Sequence, residues 1–122
     1  MTKPINKLIF VDDDKIQHMI NRKNILRINP EIDLLFFENP FEALGWLKDN
    51  DTDLLILDVN MPEMQGWDFL DELNKMNKKV PVKMLTSSMD PMDVEKSHRY
   101  PQVSGFLVKP LSNEVLTEIL GT

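Results

Sequence analysis

The sequence predicts an α/β fold, a doubly wound five-stranded parallel sheet with helices on both faces, and three observations carry that prediction. Five short apolar segments recur along the 122 residues: LIFV at 8–11, IDLLFF at 32–37, DLLILD at 53–58, VPVKML at 80–85 and VSGFLV at 103–108. Continuous apolar runs suit strands buried on both faces, as in a parallel sheet covered by helices. Their ends lie roughly 20 to 28 residues apart, too far for hairpins and far enough for a helical crossover. Third, the intervals between them carry apolar residues at helical spacing, with capping residues at several of their starts.

The elements follow in order. After LIFV, the residues Ile16, Met19, Ile20 and Leu26 stand at near-helical spacing and Pro30 supplies a stop, which predicts a helix over about 14–28. The second interval opens on Asn39-Pro40, a good N-cap and N1 pair, and sets Phe41, Leu44 and Leu47 along one stripe. The third opens after Gly66, with Phe69, Leu70, Leu73 and Met76 as its apolar face. The fourth, around 90–99, is the weakest, since Met92 and Val94 give little periodicity between Pro91 and Pro101, and it is expected to be mobile or to face a partner. The last, 112–120, has Ser112 as N-cap and Val115, Leu116, Ile119 and Leu120 as its apolar face. Right-handed crossovers would place these helices on both faces of the sheet.

Composition narrows the function. A length of 122 residues suits one domain, and 42% hydrophobic with 28% charged residues lies in the globular range. The net charge of −6 and the lack of a basic stripe argue against nucleic acid as partner. Absence of cysteine rules out disulfides and thiolate metal sites. Apolar runs of about four residues are far too short to span a bilayer, and no signal peptide is evident, so a cytoplasmic location without membrane attachment is expected. Nothing resembling an output domain is expected beside the one domain over 1–122.

In such sheets ligands bind outside the carboxyl ends of the strands. The residues placed there are Asp12-Asp13 after the first run, Glu38 after the second, Asp58 at the third, Thr86 after the fourth and Lys109 after the fifth. Two carboxylates ~4 Å apart repel by about 4 kcal/mol at an effective dielectric of 20, so three of them need compensation. An oxygen-only set without thiolate or histidine suits Mg²⁺, which joins carboxylates to phosphate. Lys109 suits a phosphoryl group and Thr86 could bond one of its oxygens. Asp14 reads as the N-cap of the first helix.

These residues lie in VDD at 11–13, DVNMPEMQG at 58–66, MLTSS at 84–88 and FLVKP at 106–110, and the chain thereby resembles the receiver domains of bacterial two-component response regulators, typified by the chemotaxis response regulator. The resemblance spans essentially the whole chain and implies a flavodoxin-like (βα)5 fold. It implies that Asp58 is the phosphoacceptor and takes a phosphoryl group from a sensor histidine kinase or a histidine phosphotransfer protein. It further implies Mg²⁺ held by Asp13, Asp58 and the backbone carbonyl of Asn60, with Asp12 acting mainly through water. Lys109 would pair with the phosphoryl group, and Lys109-Pro110 would be a cis peptide. Thr86 and Phe106 would form a switch read by an unidentified protein target on the fourth helix, fifth strand and fifth helix. Such a protein is a phosphoacceptor for signalling rather than an enzyme, assisting only its own phosphorylation and slow dephosphorylation. Phe106 replaces the tyrosine of the chemotaxis protein and so lacks its hydroxyl.

Two other readings use the same residues. Asp12-x-Asp14 after an apolar strand is similar to the nucleophile and acid of haloacid-dehalogenase-like phosphatases, although Ile16 stands where their motif has threonine. A pseudo-receiver would keep the fold as a binding module without phosphorylation. His18 and His98 are expected to be exposed helix residues without a chemical role, and Trp46 and Trp67 to be partly exposed.

Overall fold

The computed structural model describes residues 4–121. Strands and helices alternate strictly: β1 (Lys7–Val11), α1 (Lys15–Ile28), β2 (Asp33–Phe37), α2 (Pro40–Asp49), β3 (Leu54–Asp58), α3 (Gly66–Lys75), β4 (Val82–Thr86), α4 (Pro91–Ser97), β5 (Val103–Val108) and α5 (Asn113–Leu120). The strands form one sheet in the order β2-β1-β3-β4-β5, with every pairing parallel. The predicted doubly wound sheet is therefore the observed fold, and the chain reverses its direction of travel across the sheet between β1 and β3. β4 starts two residues later than the apolar run suggested, so Thr86 closes the strand rather than following it.

Alternation along each strand divides the apolar residues between two layers. Ile9, Val11, Leu55, Leu57 and Met84 face α2 and α3, where Ala43, Leu47, Phe69, Leu70 and Leu73 complete a buried cluster. Leu8, Phe10, Leu54, Ile56 and Leu85 face α1 and α5, closed by Ile25, Leu116 and Leu120. All five residues of β3 are buried, as expected of a central strand covered on both sides. Each fully buried side chain of this kind contributes roughly 1.5–3 kcal/mol from the area removed from water. β2 at the edge is only half-buried.

Local chemistry sets the helix starts. Asp14 Oδ1 accepts the N–H groups of Ile16 (3.0 Å) and Gln17 (3.2 Å), and Asn39 Oδ1 accepts those of Phe41 (2.8 Å) and Glu42 (3.4 Å). Ser112 Oγ accepts from Val115 N at 3.2 Å, and Gly121 closes α5 at φ 75°, a left-handed conformation that costs glycine little. α4 buries none of its residues, and Met92 is 78% exposed.

Two helix faces differ from the sequence reading. On α1 the buried residues are His18, Asn21 and Ile25, while Ile16, Met19 and Ile20 are exposed. Ile25 is fully buried in the layer under α5, and at about 3.6 residues per turn a helix anchored there must also turn positions 18 and 21 inward. On α2 the inner stripe is Pro40, Ala43 and Leu47, and Phe41 is turned outward.

Candidate functional site

The carboxyl edge of the sheet collects the charged residues because the backbone ladder continues one step beyond the strands. Asp12 N donates to Phe37 O (3.0 Å), Val59 N to Leu85 O (2.9 Å) and Lys109 N to Thr86 O (2.8 Å). β1 pairs with β3 in the register Val11↔Leu57, so the next residue of each chain segment, Asp12 and Asp58, arrives at the same level. Both are almost completely buried, at 1% and 4% exposure, whereas Asp13 points into solvent at the rim.

One carboxylate oxygen from each of Asp12, Asp13 and Asp58 lies within 4.8 Å of the other two. Lys109 Nζ stands between the buried pair, 2.9 Å from Asp12 Oδ2 and 3.3 Å from Asp58 Oδ2. Asp58 Oδ1 accepts the Asn60 N–H at 3.3 Å, and Asp12 Oδ1 accepts the Asp14 N–H at 3.1 Å. Asp12 Oδ2 has its charge partner in Lys109 but no hydrogen bond aligned on it. Among the described residues, one ammonium therefore faces three acids.

The titration behaviour follows from this shortage. Burial, then the neighbouring Asp12 charge, push Asp58 up from 3.8 to about 7, against the pull of Lys109 and the Asn60 N–H. Burial and Asp12 also raise Asp13. Burial works against the Lys109 ammonium, but Asp12 and Asp58 outweigh it and raise its pKa. Near neutral pH Asp58 is thus poised between its protonated and ionised forms, and a second positive charge in the cluster would favour the carboxylate. An oxygen-only donor set with a buried oxygen that lacks an aligned donor fits a small hard dication.

The loop after β3 leaves this edge by a close approach. Gly66 N donates to Val59 O at 2.8 Å, and a Cβ on Gly66 would stand 2.6 Å from Asp58 O and 2.8 Å from Met84 Cε, so only glycine brings α3 this near the site. Lys109-Pro110 is cis, as the resemblance implied.

The other two sequence-derived residues lie apart from the carboxylates' hydrogen bonds. Thr86 Oγ1 donates to Ser88 O at 2.8 Å and accepts the Ser88 N–H at 3.2 Å, so its hydroxyl is engaged with its own loop. Phe106 is half-buried and lies edge-on to Trp67, with ring centres 6.4 Å apart. Trp67 is not partly exposed as expected: it is 2% exposed, stacked on Tyr100 at 5.3 Å, and its Nε1–H donates to Asp93 Oδ1 of α4 at 3.3 Å. His18 is likewise buried rather than exposed, and its Nε2 lies 2.6 Å from the Asp12 carbonyl oxygen. The signal that could have found it is the 18, 21, 25 spacing, which shares one helical face with Ile25.

A family model for the response regulator receiver domain matches residues 8–121. The chain belongs to that family. It is 35% identical over 123 residues to the chemotaxis protein CheY1 of Helicobacter pylori, covering 95% of this chain and 98% of that protein. Among solved structures, the Vibrio cholerae chemotaxis protein CheY4 superposes with a TM-score of 0.78 at 28% identity, covering 96% of this chain and 97% of that one. A two-component response regulator from Cytophaga hutchinsonii, at 24% identity, shares the fold with a TM-score of 0.83 over 98% of this chain and 96% of its own. The protein is thus a CheY-like receiver domain with a signalling role. Among the described residues, no helix is long and apolar enough to cross a membrane. The phosphatase reading needs Asp14 as an acid beside Asp12, yet its carboxylate is engaged in capping α1.

Proposed function

We propose that this receiver takes a phosphoryl group onto Asp58 from a phosphohistidine of a sensor histidine kinase or a histidine phosphotransfer protein. The observation that carries the reading is Asp58 itself. It is a buried carboxylate at the end of the central strand, flanked by two further acids, touched by one lysine, and raised to about 7. A carboxylate oxygen of Asp58 attacks phosphorus as the P–N bond breaks, leaving an aspartyl phosphate and an imidazole that takes up a proton. Asp13, Asp58 and the Asn60 carbonyl, with Asp12 through water, would hold Mg²⁺. When bound, the ion would draw charge from the phosphoryl oxygens and keep Asp58 ionised.

Lys109, already paired with Asp12 and Asp58, pairs with the phosphoryl group once Asp58 is esterified. Thr86 exchanges its bonds to Ser88 for a phosphoryl oxygen, and Phe106 shifts into the space it leaves. Because Phe106 lies against Trp67, and Trp67 bonds Asp93, that shift is felt by α4 and alters the α4, β5 and α5 face offered to a protein target.

The test is incubation with Mg²⁺ and acetyl phosphate, followed by mass spectrometry to locate the label. Label is expected on Asp58 and absent from Asp58→Asn. Label on Asp12, or undiminished label in Asp58→Asn, overturns the reading. A pull-down with and without beryllofluoride, a phosphoryl mimic, then identifies the target that prefers the switched face.

A further inference from the structure

From the buried face of α1, the His18 side chain reaches the main chain of the acidic loop. Three hydrogen bonds hold Asp12: its N–H donates to Phe37 O at 3.0 Å, its Oδ1 accepts the Asp14 N–H at 3.1 Å, and its carbonyl accepts from His18 Nε2 at 2.6 Å. A carbonyl only accepts, so Nε2 carries the hydrogen of that bond. Nδ1 is buried with no partner among the described residues, which leaves the Asp12 carbonyl as the ring's single hydrogen-bonding contact. Aromatic neighbours fix the ring: Phe36 lies at 4.8 Å between centres and Phe10 edge-on at 6.4 Å.

The carbonyl of Asp12 and the N–H of Asp13 belong to one rigid peptide plane. Its orientation sets the dihedrals on both sides, and so the directions in which the Asp12 and Asp13 side chains leave the backbone. Without a donor the same carbonyl would be a buried orphan free to rotate toward another partner.

We propose that His18 is a positioning residue for the cation site: its Nε2–H holds the Asp12–Asp13 peptide plane so that both carboxylates converge with Asp58. This rests on the reading of the acidic cluster as the site of a phosphoacceptor's divalent cation. Groups that orient ligands in this indirect way are commonly worth tenfold to about 100-fold in metal affinity.

Two variants separate the hydrogen bond from the packing. His18→Phe keeps an aromatic ring between Phe10 and Phe36 but has no donor. His18→Gln keeps an N–H at a similar reach. By calorimetry the His18→Phe protein should bind Mg²⁺ roughly ten to 100 times more weakly than wild type. Its labelling rate from acetyl phosphate should recover to within about threefold at saturating Mg²⁺, and His18→Gln should bind Mg²⁺ within about threefold of wild type. In the metal-free wild-type protein, nitrogen NMR of the His18 ring should find the hydrogen on Nε2. Unchanged Mg²⁺ affinity in His18→Phe overturns the proposal. So does a His18→Gln protein as weak as His18→Phe at an equal melting temperature, or a wild-type ring carrying its hydrogen on Nδ1 alone. A wild-type protein that binds no Mg²⁺ and takes no label on Asp58 would instead overturn the phosphoacceptor reading, and this proposal with it.

Discussion

The two ends of β3 hold aspartates in opposite ways. At the amino end, Asp53 Oδ2 accepts the backbone N–H groups of Asn6 and Lys7, both at 2.9 Å. Close by, the Lys78–Asp51 ion pair at 2.9 Å leaves Asp51 88% exposed to water. At the carboxyl end, Asp58 is 4% exposed, shares one ammonium with Asp12, and is raised to about 7. Main-chain donors or solvent satisfy the acids at one end, whereas at the other the acids outnumber the charges that face them. A carboxylate used only for structure is neutralised by what the fold already supplies. The cluster around Asp58 keeps a repulsion that a bound cation relieves.

The contrast is broken most severely by removing the one ammonium. Lys109→Met leaves buried Asp12 and Asp58 without a countercharge, and should cost about 3–5 kcal/mol in urea melts at pH 8 with the metal chelated. The cost should shrink toward pH 5, where Asp58 is protonated. A loss below about 1 kcal/mol at pH 8 would show that Lys109 does not hold the cluster together. The second effect has the opposite sign. Since the folded pKa of Asp58 stands above 3.8, the folded state retains a proton that the unfolded chain has lost, and stability declines as pH rises from about 4 to 7. Asp58→Asn should therefore be more stable than wild type by roughly 2–4 kcal/mol at pH 8 without metal, the upper figure being the full shift and the lower one allowing for solvent screening, and equal to it near pH 4. Asp53→Ala should do the reverse, losing roughly 1–2 kcal/mol at pH 8 as two backbone N–H groups lose their acceptor. A stabilised Asp53→Ala, or an Asp58→Asn whose advantage does not grow with pH, would erase the distinction between the two ends.

The strands were legible because residues such as Leu54–Leu57 are buried on both sides, and that burial writes an unbroken apolar run into the sequence. The convergence of Asp12, Asp13, Asp58 and Lys109 was legible too, since a parallel sheet brings all strand ends to one edge and each residue directly ends or follows an apolar run. Rotation of α1 about its axis was not. Ile16, Met19 and Ile20 form a plausible inner face by hydropathy, but the fully buried Ile25 fixes the helix the other way and puts His18 and Asn21 inside. The role of His18 was hidden for the same reason, because its partner is a main-chain carbonyl that no sequence pattern marks. Trp67 escaped notice as a buried residue because its cover comes from Tyr100, Phe106 and Asp93, all distant in sequence and none in a strongly periodic helix.

The mildest test belongs to the amino end. Lys78 Nζ donates to Asp51 Oδ1 at 2.9 Å and to Asn50 O at 3.2 Å, so by distance alone this pair equals the one between Lys109 and Asp12. Distance does not decide the energy here. When Lys78 is replaced by Met, Asp51 stays almost wholly in water and is hydrated rather than stranded, and methionine keeps most of the aliphatic length of the lysine side chain. The expected cost is below about 1 kcal/mol, weakly dependent on pH above 5 and further reduced by salt. Lys109→Met, measured beside it, should show a cost several times larger that salt reduces less, because its partners are buried. Equal costs for the two lysines would mean that burial of the carboxylates contributes nothing, and the poised state of Asp58 would then lose its physical basis.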